Sequence, residues 1–279
     1  MPISKAILIT GCSSGIGRAT AQLLAAQGHT VYATARRIGS LDALDGCKKL
    51  ALDVDDADSI KAAVAAVEEV EGAVGVLVNN AGFGLHGAFE ETPLDEIRRQ
   101  FETNVFGLID LTQKVLPGMR SQSWGRIVNI SSMGGKIHFP GGAFYHATKH
   151  SLEVMSDVLR FEVRPFGIDV VVVEPGLIKT NFGRTATDSV MHADGPYRAF
   201  NKGVTKTITG AYEGPMSRLA ASPESVAKTI AKAVTARRPK TRYVVPSNIR
   251  TLLVLKRLLP DRAFDAALRM RYRPPDRSP

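Results

Sequence analysis

Lys5-Ala6-Ile7-Leu8-Ile9-Thr10 runs directly into Gly11-Cys12-Ser13-Ser14-Gly15-Ile16-Gly17, and the fold is decided there. The apolar run has the length and composition of a buried strand. The glycines after it allow a tight turn and a close approach of backbone to a ligand. Gly15 to Gln27 then reads as a helix, so its free N–H groups converge on the turn, where a pyrophosphate would be held. Gly11, Gly15 and Gly17 form a GxxxGxG variant of the more familiar GxGxxG spacing, and an ordinary strand–helix turn is the competing reading.

Working outward, the pattern repeats. His29–Ala35 and Lys49–Leu52 read as strands, Ser59–Val70 as a helix, and Gly75–Val78 as a strand ending at Asn79-Asn80-Ala81-Gly82. A long helix is expected over Leu94–Val115, ending near Pro117-Gly118. Gly125–Ile130 is a strand, Phe144–Glu162 a helix, and Ile168–Val173 a β-branched strand closed by Glu174-Pro175-Gly176. Residues 177–222 show weak periodicity and are long for a plain connection, which suggests a lid or substrate-binding excursion. Pro223–Ala236 is a helix with Ser222 as its cap, and Arg242–Val245 is the last strand. Strands alternating with helices predict a parallel sheet covered on both faces. One domain over 1–246, with a Leu- and Arg-rich extension over 247–279, accounts for the chain.

The chain has 279 residues, 44% hydrophobic and 23% charged, ordinary values for a globular protein with a substantial core. Two cysteines and six scattered histidines, without an HExxH pattern, argue against a disulfide framework or a metal site. No window approaches a membrane span and no signal sequence is evident, so a cytoplasmic protein is expected. The formal charge of +9 lies entirely at the C-terminal end, where residues 237–279 hold twelve Lys/Arg against three Asp/Glu. That segment is expected to attract something anionic: a lipid headgroup, a charged ligand or nucleic acid.

The second strand ends at Ala35, where an acid would hold a ribose 2′-hydroxyl, and is followed by Arg36 and Arg37. Guanidinium groups suit a 2′-phosphate, which points to NADP(H), with Arg36 the better candidate. Asp53, followed by Val54, could accept from an adenine amino group or cap the next helix. In Tyr145-His146-Ala147-Thr148-Lys149 a phenol and an ammonium lie four apart on one helix face. A nearby cation lowers the pKa of a phenol, which is ordinarily about 10. A core tyrosine beside a snorkelling lysine is the plain alternative.

With these pieces in order, the chain resembles the short-chain dehydrogenase/reductase family over roughly residues 4–246. The resemblance rests on the Thr10–Gly17 loop, Asp53, Asn79-Asn80-Ala81-Gly82, Asn104, Ser132, Tyr145, Lys149 and Pro175-Gly176 with Thr180. It implies one doubly wound Rossmann-type domain with a seven-stranded parallel sheet in order 3-2-1-4-5-6-7. It implies Ser132 rather than Ser131, because the serine stands thirteen positions before the tyrosine. By the same resemblance Tyr145 moves the proton, Ser132 donates to the carbonyl oxygen, and Lys149 lowers the tyrosine pKa and binds the nicotinamide ribose. Asn104 is similar to an asparagine that holds a water in the family's proton relay. Cofactor contacts are expected from Gly11, Ser13, Ser14, Gly15, Ile16, Gly17, Arg36, Arg37, Asp53, Val54, Asn80, Ala81, Gly82, Tyr145, Lys149, Pro175, Gly176, Ile178 and Thr180. Asn129 is expected to help hold the centre of the sheet together.

The sequence is similar to the branch containing 17β-hydroxysteroid dehydrogenases, retinol dehydrogenases and acyl-dihydroxyacetone-phosphate reductases. That likeness implies a small hydrophobic alcohol or carbonyl substrate, with a lipid ketone of the acyl-dihydroxyacetone-phosphate kind as an alternative. Met133, Ile137, His138, Phe139, Pro140, Phe144, Leu177, Phe182, Tyr197 and Phe200 could line its pocket or pack the core. A homodimer or homotetramer is expected. The basic extension reads as two short amphipathic helices, either covering the pocket or a subunit contact or lying on an anionic membrane; nucleic acid lacks any reading motif here. A catalytically weak NADP(H)-binding scaffold is the alternative to an enzyme.

Overall fold

The computed structural model describes residues 2–190, 194–272 and 275. Seven parallel strands form one sheet: β1 (Ile7–Ile9), β2 (Val31–Ala35), β3 (Lys48–Ala51), β4 (Val76–Asn79), β5 (Gly125–Ile130), β6 (Ile168–Pro175) and β7 (Arg242–Val245). Their order is β3-β2-β1-β4-β5-β6-β7, as the resemblance implied. In β1, Ile7 and Ile9 point to one face and Leu8 to the other, the period of two that a strand imposes.

Both faces are buried. Ile7 and Ile9 join a core cluster with Leu24 of α1 (Gly15–Ala26) and Ile230 of α8 (Pro223–Thr235). Leu8 joins Ile60 and Val64 of α2 (Ala57–Glu71) and Leu111 and Val115 of α4 (Gly107–Ser121). A strand buried on both sides reads as a continuous apolar run, which is why Ala6–Ile9 carries no alternation. The strand order reverses between β1 and β4, so a crevice opens beyond their C-terminal ends.

Several boundaries differ from expectation. The helix expected over Leu94–Val115 is α3 (Leu94–Phe101), a π turn (Glu102–Phe106) and α4 in succession. It passes Pro117 and ends at Ser121, beyond the expected stop at Pro117-Gly118. Proline loses only one helix bond. Burial of Met119 and close packing of Gly118 against Ala73 and Glu68 favour continuation. The 177–222 region, expected as a lid or substrate-binding excursion, holds α6 (Phe182–Asp188), α7 (Arg198–Glu213) and a 3₁₀ turn (Pro215–Leu219). α5 spans Ala143–Val163, and the basic extension forms α9 (Ile249–Leu258) and α10 (Asp261–Arg271) on either side of Pro260. Arg273, expected in the basic stripe, lies outside the described residues.

Candidate active site

The glycine loop is shaped by its backbone. Gly11 and Gly15 have φ of +71° and +57°, the left-handed region that glycine tolerates. A Cβ at Gly17 would collide with Gly11 O and the Asn80 amide, because the loop folds against the end of β4. Asn80 Nδ2 donates to Thr10 O (2.8 Å) and Gly11 O (3.2 Å), while the N–H groups of Asn80 and Ala81 donate to Thr10 Oγ1 (both 2.9 Å). The first helix turn carries no acid, and its cap, Ser14, makes no side-chain cap bond, so the positive helix end is left for an anion. Ser13 and Ser14 are exposed, and Ile16 packs on the core.

Across the groove, a Cβ on Gly15 would stand 3.3 Å from Thr180 Cγ2, so the loop after β6 forms the facing wall. Pro175 ends β6, Gly176 N–H donates to Val245 O (2.7 Å), and buried Ile178 pairs with Ala221. Arg36 and Arg37 are exposed just beyond β2. A third guanidinium escaped sequence reading: Arg18 Nη2 donates to Ser40 O (3.1 Å), and its Nε is buried without a partner. Asp53 is not the cap of α2; Asp56 accepts the N–H groups of Asp58 and Ser59, and Asp53 accepts from Asp55 (3.2 Å). The Val54 side chain belongs to the core with Leu52, so only its backbone is left for ligand contact.

Beyond β4 and β5 the expected catalytic residues come together. The π turn bulges at Asn104, whose Nδ2 donates to Phe83 O (2.9 Å) and Thr148 Oγ1 (3.1 Å) and whose Oδ1 accepts Phe83 N–H (3.1 Å). The Asn104 amide thus ties the β4 loop to α5. A Cβ on Gly82 would lie 2.9 Å from Asn104 Oδ1 and 3.8 Å from Lys149 Nζ, so the three residues adjoin. Below them Asn79 Nδ2 donates to Asn129 Oδ1 (2.9 Å), and Asn129 Nδ2 to Ser156 Oγ (2.9 Å). Asn129 holds the centre of the sheet as expected.

Ser132 Oγ accepts Gly134 N–H (3.0 Å). Ser131 is buried, its hydroxyl unpartnered and close to Gly135. Burial pushes the Tyr145 phenol up to about 12, with the Ser132 side chain pulling against it. Burial also lowers Lys149 to about 8, opposed by the charge of Glu153. Lys149 Nζ donates to Ile130 O (2.9 Å). The expected direct lowering of the Tyr145 pKa by Lys149 is therefore not what this structure shows; burial prevails, and the downward pull comes from Ser132.

Several neighbours were not legible in the sequence as site residues. The His86 ring lies 5.7 Å from Tyr145, with Nδ1 buried and unpartnered, beside Phe182, an expected pocket residue 5.4 Å from Tyr145. His146 bonds Gly134 O through Nδ1 (3.0 Å) and is wedged where a Cβ on Gly134 or Gly142 would strike it. Burial lowers both histidines to about 4, so they are neutral apolar-site rings and not acids. Glu153, one turn beyond Lys149, is buried and paired with Lys136 (2.8 Å) and Arg242 (3.1 Å), and Arg242 also pairs with Glu174 (3.2 Å). Its i+4 spacing from Lys149 was the available signal. Among the expected pocket residues, Phe182 reaches Tyr145. Ile137 is fully buried, Phe144 packs on Phe89 (4.8 Å), and Tyr197 donates to Glu90 (2.7 Å) and touches Phe200.

A family model for short chain dehydrogenases matches residues 5–190. The 3-ketodihydrosphingosine reductase of Bacteroides thetaiotaomicron is 35% identical over 95% of this chain and 97% of its own length. The NADPH-dependent 3-dehydrocapnine reductase of Ornithobacterium rhinotracheale is 32% identical, covering 92% of this chain and 94% of that protein. The crystal structure of a short-chain dehydrogenase from Streptomyces avermitilis superposes with a TM-score of 0.80 at 37% identity, covering 96% of both chains. The chain belongs to the short-chain dehydrogenase family. It is an oxidoreductase acting between CH–OH and C=O groups on a nicotinamide-binding fold.

Proposed function

We propose that the chain is an NADP(H)-dependent carbonyl reductase for lipophilic ketones or aldehydes, working through Ser132, Tyr145 and Lys149. The placement of the Ser132 side chain where it pulls down the pKa of the buried Tyr145 phenol carries the reading. The groove fits a dinucleotide: left-handed Gly11 and Gly15, an uncapped helix end, and Thr180 opposite. Arg36 and Arg37, exposed beyond β2, suit a 2′-phosphate. When bound there, the nicotinamide supplies or takes the hydride.

The chain's own residues do the rest. Ser132, whose oxygen already accepts from Gly134, directs its proton at a carbonyl oxygen as negative charge develops. Tyr145 keeps its proton through neutral pH, which suits an acid that protonates the oxygen after hydride arrives. Lys149, positive below about pH 8, would hold the nicotinamide ribose. Asn104 fixes the distance between the β4 loop and α5. The rings of His86 and Phe182 give the mouth an apolar lining. Two relatives named as reductases of 3-ketodihydrosphingosine and 3-dehydrocapnine support a lipid ketone as substrate. The test is NADPH oxidation over a panel of hydrophobic and hydrophilic carbonyls: faster turnover of the hydrophobic members, with NADPH favoured over NADH, is expected. Turnover confined to sugars or other polar carbonyls would overturn it.

A homo-oligomer fits the same reading. On α5, Val154, Val158 and Phe161 form an exposed apolar stripe, with Phe161 84% exposed. Light scattering of the wild type and of Phe161→Asp tests it; a monomeric wild type would refute it.

A further inference from the structure

Helix α9 is apolar on the side that faces water. Its sheltered stripe is Ile249, Leu253 and Lys256, at i, i+4 and i+7. Ile249 lies where a Cβ on Gly176 would strike it, and Lys256 Nζ stands 4.4 Å over the Phe264 ring. On the opposite side Val254, Leu255 and Leu258 are 58%, 51% and 74% exposed. In α10 only Phe264 is buried, edge-on to His138 (5.4 Å), while Ala263, Ala266 and Met270 face outward. Exposed Arg250 and Arg257 flank the outer stripe of α9, and exposed Arg262 and Arg269 flank that of α10. The acids beside them are Asp261, paired with Lys256 (3.3 Å), and exposed Asp265.

We propose that the outer face of the α9–α10 hairpin docks on an anionic lipid surface. Apolar side chains turned outward between arginines are the pattern of a helix that lies in the headgroup region. The charge balance agrees, because the whole formal charge of +9 is carried by residues 237–279. Among the described residues no helix is long and apolar enough to cross a membrane, so the contact is in the plane of the surface. The inner face of the same hairpin rests on Gly176 and His138, on the loops that follow β6 and β5 beside the catalytic residues. Docking would thus set the rim of the crevice against the bilayer. The lipid contact stands independently of the substrate proposed above.

The experiment is sedimentation of the full chain with vesicles of phosphatidylcholine alone and of equimolar phosphatidylcholine and phosphatidylglycerol. Binding to the anionic vesicles is expected to exceed binding to the neutral ones about tenfold or more and to weaken with salt. Leu255→Asp/Leu258→Asp and, separately, Arg257→Glu/Arg269→Glu should each lose most of that binding while keeping the wild-type melting curve. The arginine pair keeps the test decisive if the leucine pair disturbs folding. No preference for anionic vesicles, or equal binding by wild type and both variants, would overturn the proposal. So would light scattering that shows the face covered by a second copy, released as monomer by Leu255→Asp/Leu258→Asp.

Discussion

Beneath Tyr145, between β4, β5 and α5, Asn79, Asn129 and Ser156 are polar, buried and joined in one chain of hydrogen bonds. In the C-terminal hairpin, Val254, Leu258 and Met270 are apolar and face water. The first region uses buried polar groups, costly unless satisfied, to tie β4, β5 and α5 together. The second leaves apolar groups unsatisfied, and Phe264 and a narrow stripe of α9 rest against the body. One region is satisfied within the chain; the other, as proposed above, meets a surface outside it.

Substitutions can break or sharpen that contrast. The largest effect is expected at Tyr145. Tyr145→Phe should lower turnover about 10²–10⁴-fold while NADPH binding and the melting temperature stay near wild type. In the same assay, reduction by the wild type should be level through neutral pH. It should fall above about pH 8, as the buried Lys149 loses its proton and with it the charge that would hold the nicotinamide ribose. Arg36→Ala comes next: its NADPH dissociation constant should rise about 10–100-fold, with NADH little changed, in a fluorescence titration. Equal losses for the two cofactors would mean that Arg36 does not reach a 2′-phosphate.

Stability then separates the two regions directly. Asn129→Ala removes the partner of Asn79 and one of the bonds to Ser156, and should cost roughly 1–3 kcal/mol in urea unfolding. Leu258→Asp, on the exposed face of α9, should change stability by less than about 0.5 kcal/mol. A comparable loss at both positions would erase the distinction. The smallest effect is expected from Phe264→Ala, which loosens the hairpin on His138: a few-fold rise in KM for bulky carbonyls with kcat unchanged.

Much of the first region was legible in the sequence. Gly11, Gly15 and Gly17 after an apolar run required a strand–turn–helix, and the order of Asn104, Ser132, Tyr145 and Lys149 carried the family and the sheet topology. Pro117 misled, because burial around Met119 and Gly118 outweighed one lost helix bond. His86 was invisible because it comes to Tyr145 from a distant loop, a contact that no local period encodes. The pKa of Tyr145 was misjudged for a related reason: spacing shows a nearby amine but not the burial that raises the phenol. The hairpin was legible as two basic amphipathic helices, yet not which apolar side chains turn inward, since apolar residues lie on both sides of α9.

The most direct test is a crystal structure of the full chain with NADPH and an unreactive lipophilic ketone analogue. The carbonyl oxygen should stand within hydrogen-bond reach of both Ser132 Oγ and the Tyr145 hydroxyl, with its carbon facing the nicotinamide. A nicotinamide bound away from residue 145, or a carbonyl held by other side chains, would contradict the proposed chemistry.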